Sequence, residues 1–429
     1  MLVNFTVENF KSFKGLAEFS LEATKLKNLK ESNTFTINNM SLLTSAVIYG
    51  ANASGKSSVL DAINLMTNII KSSVNMEKAE SYKPHPFLLS QEKEDQPTKF
   101  EIEFIIGETI YLYGFEIGID AKILKEWLFQ KNLKLRARYK PLFERIENNI
   151  DIKPSFKEGS NLRSKTRGNA LFLTVVAQFN GEISELIIQE MNNINVLSNT
   201  ESQSFQNYSF DKLDDIDFKD KMLSLIKSAD TGIYDISKHD VSLEQVVKEN
   251  SQLGKLPSFL LDKMKEDGLS TIKTEHIQYA KGDQFHAIKT FNLNMESEGT
   301  QKLLALSAPI IDTLENGRVL IIDELDNSLH TDLVEAIIKL FNSEDTNPKH
   351  AQLIFTTHDT NQLSQKTFRR DQIWFTEKNI LGQSELYSLA EYGKGKARDD
   401  LVLEKNYLDG KFGAVPHIHS LDYEVSHES

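Results

Sequence analysis

The chain has 429 residues, 40% hydrophobic and 26% charged, with 9 prolines and 20 glycines: the composition of a folded globular protein, large enough for two or three lobes of roughly 150 residues. It contains no cysteine, which excludes disulfides, thiolate zinc sites and cysteine nucleophiles. A formal net charge of -13 argues against a surface coated throughout in basic residues for nucleic acid, and leaves room only for a local basic strip.

The opening MLVNFTVENFKSF lacks the apolar core of a signal peptide, and no stretch approaches the roughly 18 apolar residues of a membrane span; no membrane association and a cytoplasmic location are expected. Val3, Phe5 and Val7 alternate with polar neighbours, the period of a half-buried strand, and Ala46 to Tyr49 is a short apolar run typical of a buried one. Next comes GANASGKS, Gly50 to Ser57, which fits G-x-x-x-x-G-K-[ST]. The backbone N–H groups of such a loop, here running through Asn52, Ala53, Ser54 and Gly55 into Ser58, wrap phosphate oxygens while a helix N-terminus points positive charge at them. Lys56 would reach the β and γ phosphates, and the Ser57 hydroxyl would complete part of a Mg2+ shell. Apolar Val59, Ala62, Ile63, Met66, Ile69 and Ile70 then recur at helical spacing, so a helix is predicted from Ser57 to Ile70.

KFEIEFII and TIYLYGFEIGI predict further strands. KEWLFQKNLKLRARYKPLFER carries Lys125, Lys131, Lys134, Arg136, Arg138, Lys140 and Arg145 among Trp127, Phe129, Tyr139 and Phe143. Cations interleaved with aromatics suit a nucleic-acid backbone and its bases; the same pattern equally describes a half-exposed strand pair. Farther on, SELIIQEMNNINVL, DKMLSLIKSAD and SLEQVVKENSQL read as short helices, and the acidic run from Asp211 to Asp220 as a solvated face.

RVLIIDELDNSLH drives a strand into the core and leaves Asp323 and Glu324 at its end. Two adjacent carboxylates invite a metal: Asp323 would hold Mg2+ through water, and Glu324 would orient or deprotonate the water that attacks a γ-phosphate. AQLIFTTHD ends a second buried run in Thr356, Thr357 and His358, which places His358 for a γ-phosphate contact. Between these strands Leu333, Val334, Ile337, Ile338 and Phe341 have helical spacing. The simplest architecture is one α/β nucleotide-binding domain split in sequence: residues 1–125 with the P-loop, a mixed and mainly helical insertion at 126–270, and a returning part at 271–429.

The order of P-loop, insertion, NMESEGTQKLLAL, Asp-Glu strand and histidine resembles the ABC-type ATPases of the chromosome-maintenance and RecF kind (SMC-like). Against that family's L-S-G-G-Q, the chain keeps Ser297 and Gly299 but has Glu298 and Thr300. The resemblance implies that Ser297 and the helix beginning near Gly299 bind the γ-phosphate of a second subunit, with ATP as glue between two copies; otherwise Ser297 is an ordinary helix N-cap. His330 stands where many transporters have Asp. ENFKSF resembles the family's first strand and turn, bringing Lys11 toward the nucleotide, and Gln91 is the candidate for the metal-binding Q-loop glutamine.

NALFLTVVAQFN, RRDQIWFTEKN, LYSLAEY and NYLDGKFGAVPHI more closely resemble the RloA and abortive-infection AbiL group of AAA-family ATPases in bacterial anti-phage loci. This implies an ATP- and Mg2+-dependent ATPase, a homodimer or higher oligomer, working beside a separately encoded effector, often a Toprim-like nuclease. The alternative is a RecF-like DNA clamp or loader of repair. A scaffold with structural ATP is disfavoured by Glu324, and a fused anticodon nuclease by the conventional tail.

Overall fold

The computed structural model describes residues 1–75, 82–134, 137–198, 202–241, 270–391 and 402–415. The chain divides into two compact units: Met1–Leu197, Asn316–Asp326 and Val334–Ser429 form the first, Ser198–Glu315 and Asn327–Leu333 the second.

Before the glycine-rich loop run β1 (Leu2–Glu8), β2 (Ala17–Ser20), β3 (Thr34–Ile37), β4 (Met40–Leu43) and β5 (Ser45–Gly50). After the loop and its helix, Lys56–Ser72, come β6 (Thr98–Ile106), β7 (Thr109–Ile117), β8 (Ile123–Asn132), β9 (Lys140–Ile146), β10 (Asn149–Ile152) and β11 (Ile194–Leu197). The second unit holds β12 (Ile233–Asp240), β13 (Ser270–Tyr279) and β14 (Phe285–Asn292). The first unit resumes with β15 (Val319–Ile322), β16 (Gln352–Thr356), β17 (Ile373–Lys378) and β18 (Ser384–Ser388).

Two large sheets build the first unit. One has the order β10-β9-β8-β7-β6-β1-β2 and is antiparallel throughout. The other has the order β11-β15-β16-β5-β17-β18, parallel except where β18 turns back on β17. β5 lies inside this second sheet with parallel partners on both edges, and all six of its residues are buried, as expected of a continuous apolar run covered on both faces. The P-loop helix buries Val59, Ala62, Ile63, Met66, Ile69 and Ile70, the stripe its spacing predicted. A buried amide ties the sheets: Leu2 N donates to Gln352 Oε1 at 2.8 Å, and Gln352 Nε2 donates to the Leu2 and Leu43 carbonyls at 3.0 and 3.3 Å.

The predicted insertion is placed differently. Residues 126–197 stay in the first unit, because ILKEWLFQKN continues the antiparallel ladder as β8 and β9 and β10 extend it. SELIIQEMNNINVL is not one helix: the helix ends at Asn192, and INVL becomes the parallel edge strand β11 against β15. Apolar residues at the end of a helical stretch read as more helix until a strand partner over a hundred residues away claims them. Residues 271–315, assigned from sequence to the returning domain, lie in the second unit.

That second unit is α/β, with helices at Ser202–Lys212, Ile216–Ser228 and Glu298–Asn316 beside the sheet β12-β13-β14. Its core gathers Met222, Ile226, Ile236, Leu303, Leu304 and Ala308. DKMLSLIKSAD is helical as expected, with Asp215 capping at Phe218 N; SLEQVVKENSQL lies outside the described residues. Among the described residues no helix is long and apolar enough to cross a membrane.

Candidate functional site

The shape of the P-loop is set by the strands beside it. β5 delivers Gly50, where a Cβ would lie 2.5 Å from Ser54 Oγ and from the Thr376 carbonyl, so only glycine fits. Ala53 and Gly55 take left-handed φ values of 60° and 115°. Ser54 is buried; its hydroxyl pairs with Thr376 Oγ1 at 2.6 Å and its carbonyl accepts from Ser384 Oγ at 2.6 Å. It therefore anchors the loop to β17 and β18. Lys56 opens the helix, and its Nζ donates to the Gly50 and Ala51 carbonyls at 2.9 and 3.1 Å. Burial lowers its pKa below the usual lysine value, against the opposing pull of Glu324, Asp323 and Asp326.

β15 carries the acidic pair to the same place. Asp323 Oδ1 accepts from Thr356 Oγ1 at 2.6 Å and from Ser57 Oγ at 3.2 Å. The Thr356 oxygen also accepts from Glu324 N at 2.7 Å, holding Glu324 at a left-handed φ of 50°. Such a conformation in a non-glycine residue is strained by roughly 1–3 kcal/mol and persists where the surroundings fix it. His358 Nε2 stands 3.8 Å from Glu324 Oε1, and its backbone N donates to Asp326 Oδ2 at 3.2 Å.

A cleft of about 590 Å³, within the range of small-molecule sites, opens over these groups. Lys11 and Ser12 from the turn after β1, Asn52, Ala53, Gly55, Lys56, Ser57, Ser58, Glu324, His358 and Lys378 line it. The sequence-predicted Lys11, P-loop residues, Glu324 and His358 thus converge. Lys11 meets Asp61 at 2.6 Å through its ammonium and is itself left-handed, with φ 48°. Asp323 sits behind the cleft wall on Ser57. These are two hard oxygens 3.2 Å apart, a donor set that suits Mg2+, taken directly by Ser57 and through water by Asp323.

Gln91 does not join them. It is exposed in a turn whose carbonyls at Lys93, Gln96 and Pro97 are gathered by Asn9 Nδ2, and it is not among the residues that line the cleft. Sequence reading missed Ser12, Thr356 as the hub of the acidic pair, and Lys378. Thr356 was legible as the end of the β16 run; Lys378 lies in RRDQIWFTEKN, a stretch to which the resemblance gave no site role.

Ser297 and Gly299 lie in the second unit. Ser297 Oγ accepts from Thr300 N at 3.1 Å, an N-cap for the helix Glu298–Asn316. A Cβ on Gly299 would lie 2.6 Å from the Ser328 carbonyl, so the glycine permits close backbone approach. His330 is exposed and its Nδ1 accepts from Asp332 N.

The basic strip is the strand pair β8–β9. Arg145 is buried and donates to Glu126 at 3.4 Å and to the carbonyls of Glu147, Arg167, Gly168 and Ala170. Lys125 pairs with Glu116 and Lys134 with Glu108. Arg136 lies outside the described residues.

The sequence model of a family described as "AAA domain, putative AbiEii toxin, Type IV TA system" matches residues 45–364, most of the chain. No curated protein matches in sequence. Among solved structures, the SmcHead bound to the C-winged helix domain of ScpA is similar at 13% identity and a TM-score of 0.45, over 90% of this chain and 97% of that one.

Proposed function

The chain belongs to this family of AAA domains, the putative AbiEii toxin type, and from that premise we propose that it is an ATPase that closes on a second copy around ATP and regulates a separately encoded effector in anti-phage defence. The observation that carries the reading is the convergence, in one cleft, of a P-loop lysine with the Glu324–His358 pair, backed by Ser57 and Asp323.

Each group has a task that its position suits. The loop amides and Lys56 bind and orient the β and γ phosphates. Ser57 and Asp323 would hold Mg2+, which would supply charge neutralisation of the phosphates. Glu324 takes a proton from the attacking water, and His358, near it, donates to the γ-phosphate oxygen. Ser297 and the N-terminus of its helix supply an anion site to the nucleotide of the partner copy. The effector is a nuclease of Toprim-like kind, as in the RloA and AbiL group.

A DNA clamp of RecF type is the alternative. It calls for an exposed basic face; in the strip Arg145 is buried and Lys125 and Lys134 are paired with glutamates, while Arg138 and Lys140 are exposed.

The test is Glu324→Gln. Turnover is expected to fall about 100-fold or more with ATP still bound, and the mass in solution to double with ATP; Ser297→Arg in the same background should prevent the doubling. Wild-type turnover in Glu324→Gln removes the catalytic assignment, and a mass indifferent to ATP removes the dimer. Copurification of the native locus products then identifies the effector.

A further inference from the structure

We propose that Lys378 holds the α-phosphate of the nucleotide. The inference rests on the ATP reading above and assigns a contact outside the P-loop, the Asp323–Glu324 strand and His358.

Three lysines line the cleft, and two are already engaged. Lys56 is folded onto the Gly50 and Ala51 carbonyls, and Lys11 is paired with Asp61 at 2.6 Å. Lys378 is exposed and forms no ion pair among the described residues. Like Lys56, whose ammonium meets only carbonyls, Lys378 has no carboxylate partner among the described residues, so its charge is available to an anion.

Its placement selects the phosphate. β5 is flanked by β16 on one edge and β17 on the other. His358 follows β16, and Asp323 and Glu324 follow β15 beyond it, so the γ-phosphate end of a bound triphosphate lies toward that flank. The α-phosphate then lies toward β17. Thr376 is in register with Gly50, and Lys378 shares a strand face with Thr376, whose hydroxyl meets Ser54. Two residues beyond Thr376, Lys378 passes the carboxyl end of the parallel strands, where ligands of such sheets bind.

The mount is fixed. Lys378 pairs across the hairpin with Ser384, whose N donates to the Ser12 carbonyl at 2.8 Å and whose Oγ donates to the Ser54 carbonyl at 2.6 Å. The Asn379 side chain closes the turn by accepting from Leu381 N and Gln383 N at 3.0 and 3.1 Å. On the same flank the Ser12 hydroxyl oxygen is buried without a hydrogen-bond partner among the described residues.

Affinities of MgATP and MgADP for wild type, Lys378→Met, Lys378→Arg and Lys56→Met test it. Loss of one charge-assisted contact to the α-phosphate, present in both ligands, should weaken both by the same factor, about tenfold. Lys378→Arg should retain most of the affinity. Unchanged affinities in Lys378→Met beside a loss in Lys56→Met overturn this inference alone. A loss for MgATP without one for MgADP places Lys378 at the γ-phosphate and overturns it too. If Lys56→Met also binds both normally, the ATP site itself is wrong. Because Lys378 is exposed, the nucleotide-free melting temperature should not move.

Discussion

Ser57 Oγ stands 3.2 Å from Asp323 Oδ1 although 266 positions separate them, so the first turn of the P-loop helix and the end of β15 present two hard oxygens to one point. Asp323→Asn keeps the shape and removes the charge. The Mg2+ concentration needed for half-maximal ATP binding should rise by about tenfold or more. A magnesium titration of nucleotide binding reads this directly; an unmoved midpoint would place the ion elsewhere.

Thr356 is the joint between the two acidic residues, donating a hydrogen bond to Asp323 and accepting one from Glu324 N. Thr356→Val keeps the volume but frees the strained Glu324 backbone, and kcat should fall roughly 10- to 100-fold with KM nearly constant, because positioning rather than ground-state binding is lost. Steady-state kinetics decide; a rise in KM alone would mean that Thr356 serves only binding.

Lys56 gives two pH dependences of opposite sign. Burial holds its folded pKa below the usual lysine value. Triphosphate binds the ammonium form, so ATP affinity should decline as pH rises through the lowered pKa. Without nucleotide, the unfolded chain binds more protons than the folded one between that pKa and the usual lysine value, so this group's contribution to stability grows as pH rises through the same window. Calorimetric binding and thermal melts across the alkaline range should show both trends in wild type, and Lys56→Met should show neither.

Glu126 and Arg145 form a buried pair under the antiparallel sheet. Burial raises the Glu126 pKa, opposed by Arg145 and by hydrogen bonds from Leu173 N, Phe172 N and Tyr113. Arg145→Met strands the carboxylate, and stability should drop by about 3–5 kcal/mol. Adding Glu126→Gln should recover part of that. Denaturant unfolding measures both; a single-variant cost near zero would return Arg145 to the list of surface cations.

The tail clasps β17 and β18. Phe412 and Tyr407 stack on Phe375 at 5.9 and 5.5 Å, the Tyr387 hydroxyl donates to the Phe412 carbonyl at 2.7 Å, and Gly413 has φ 71° with no room for a Cβ beside Glu377. Phe412→Ala should cost about 3–5 kcal/mol. A melting temperature equal to wild type would show that the clasp is not part of the folded core.

Local residue order by itself determined the P-loop, the helix after it, the two buried strands ending in Asp323–Glu324 and Thr356–His358, and hence the nucleotide chemistry. Those features are contiguous, and their constraints act within a few residues: glycines for positive φ, apolar runs for buried strands, helical spacing for one buried face. Only the tertiary structure decided that INVL joins β15 as a strand, that residues 126–197 stay with the first unit, that Arg145 points inward and Gln91 away, and that Lys378 enters the cleft. Each of these depends on which distant strand becomes a neighbour, and that choice is made by the burial of whole sheets, which no local pattern encodes.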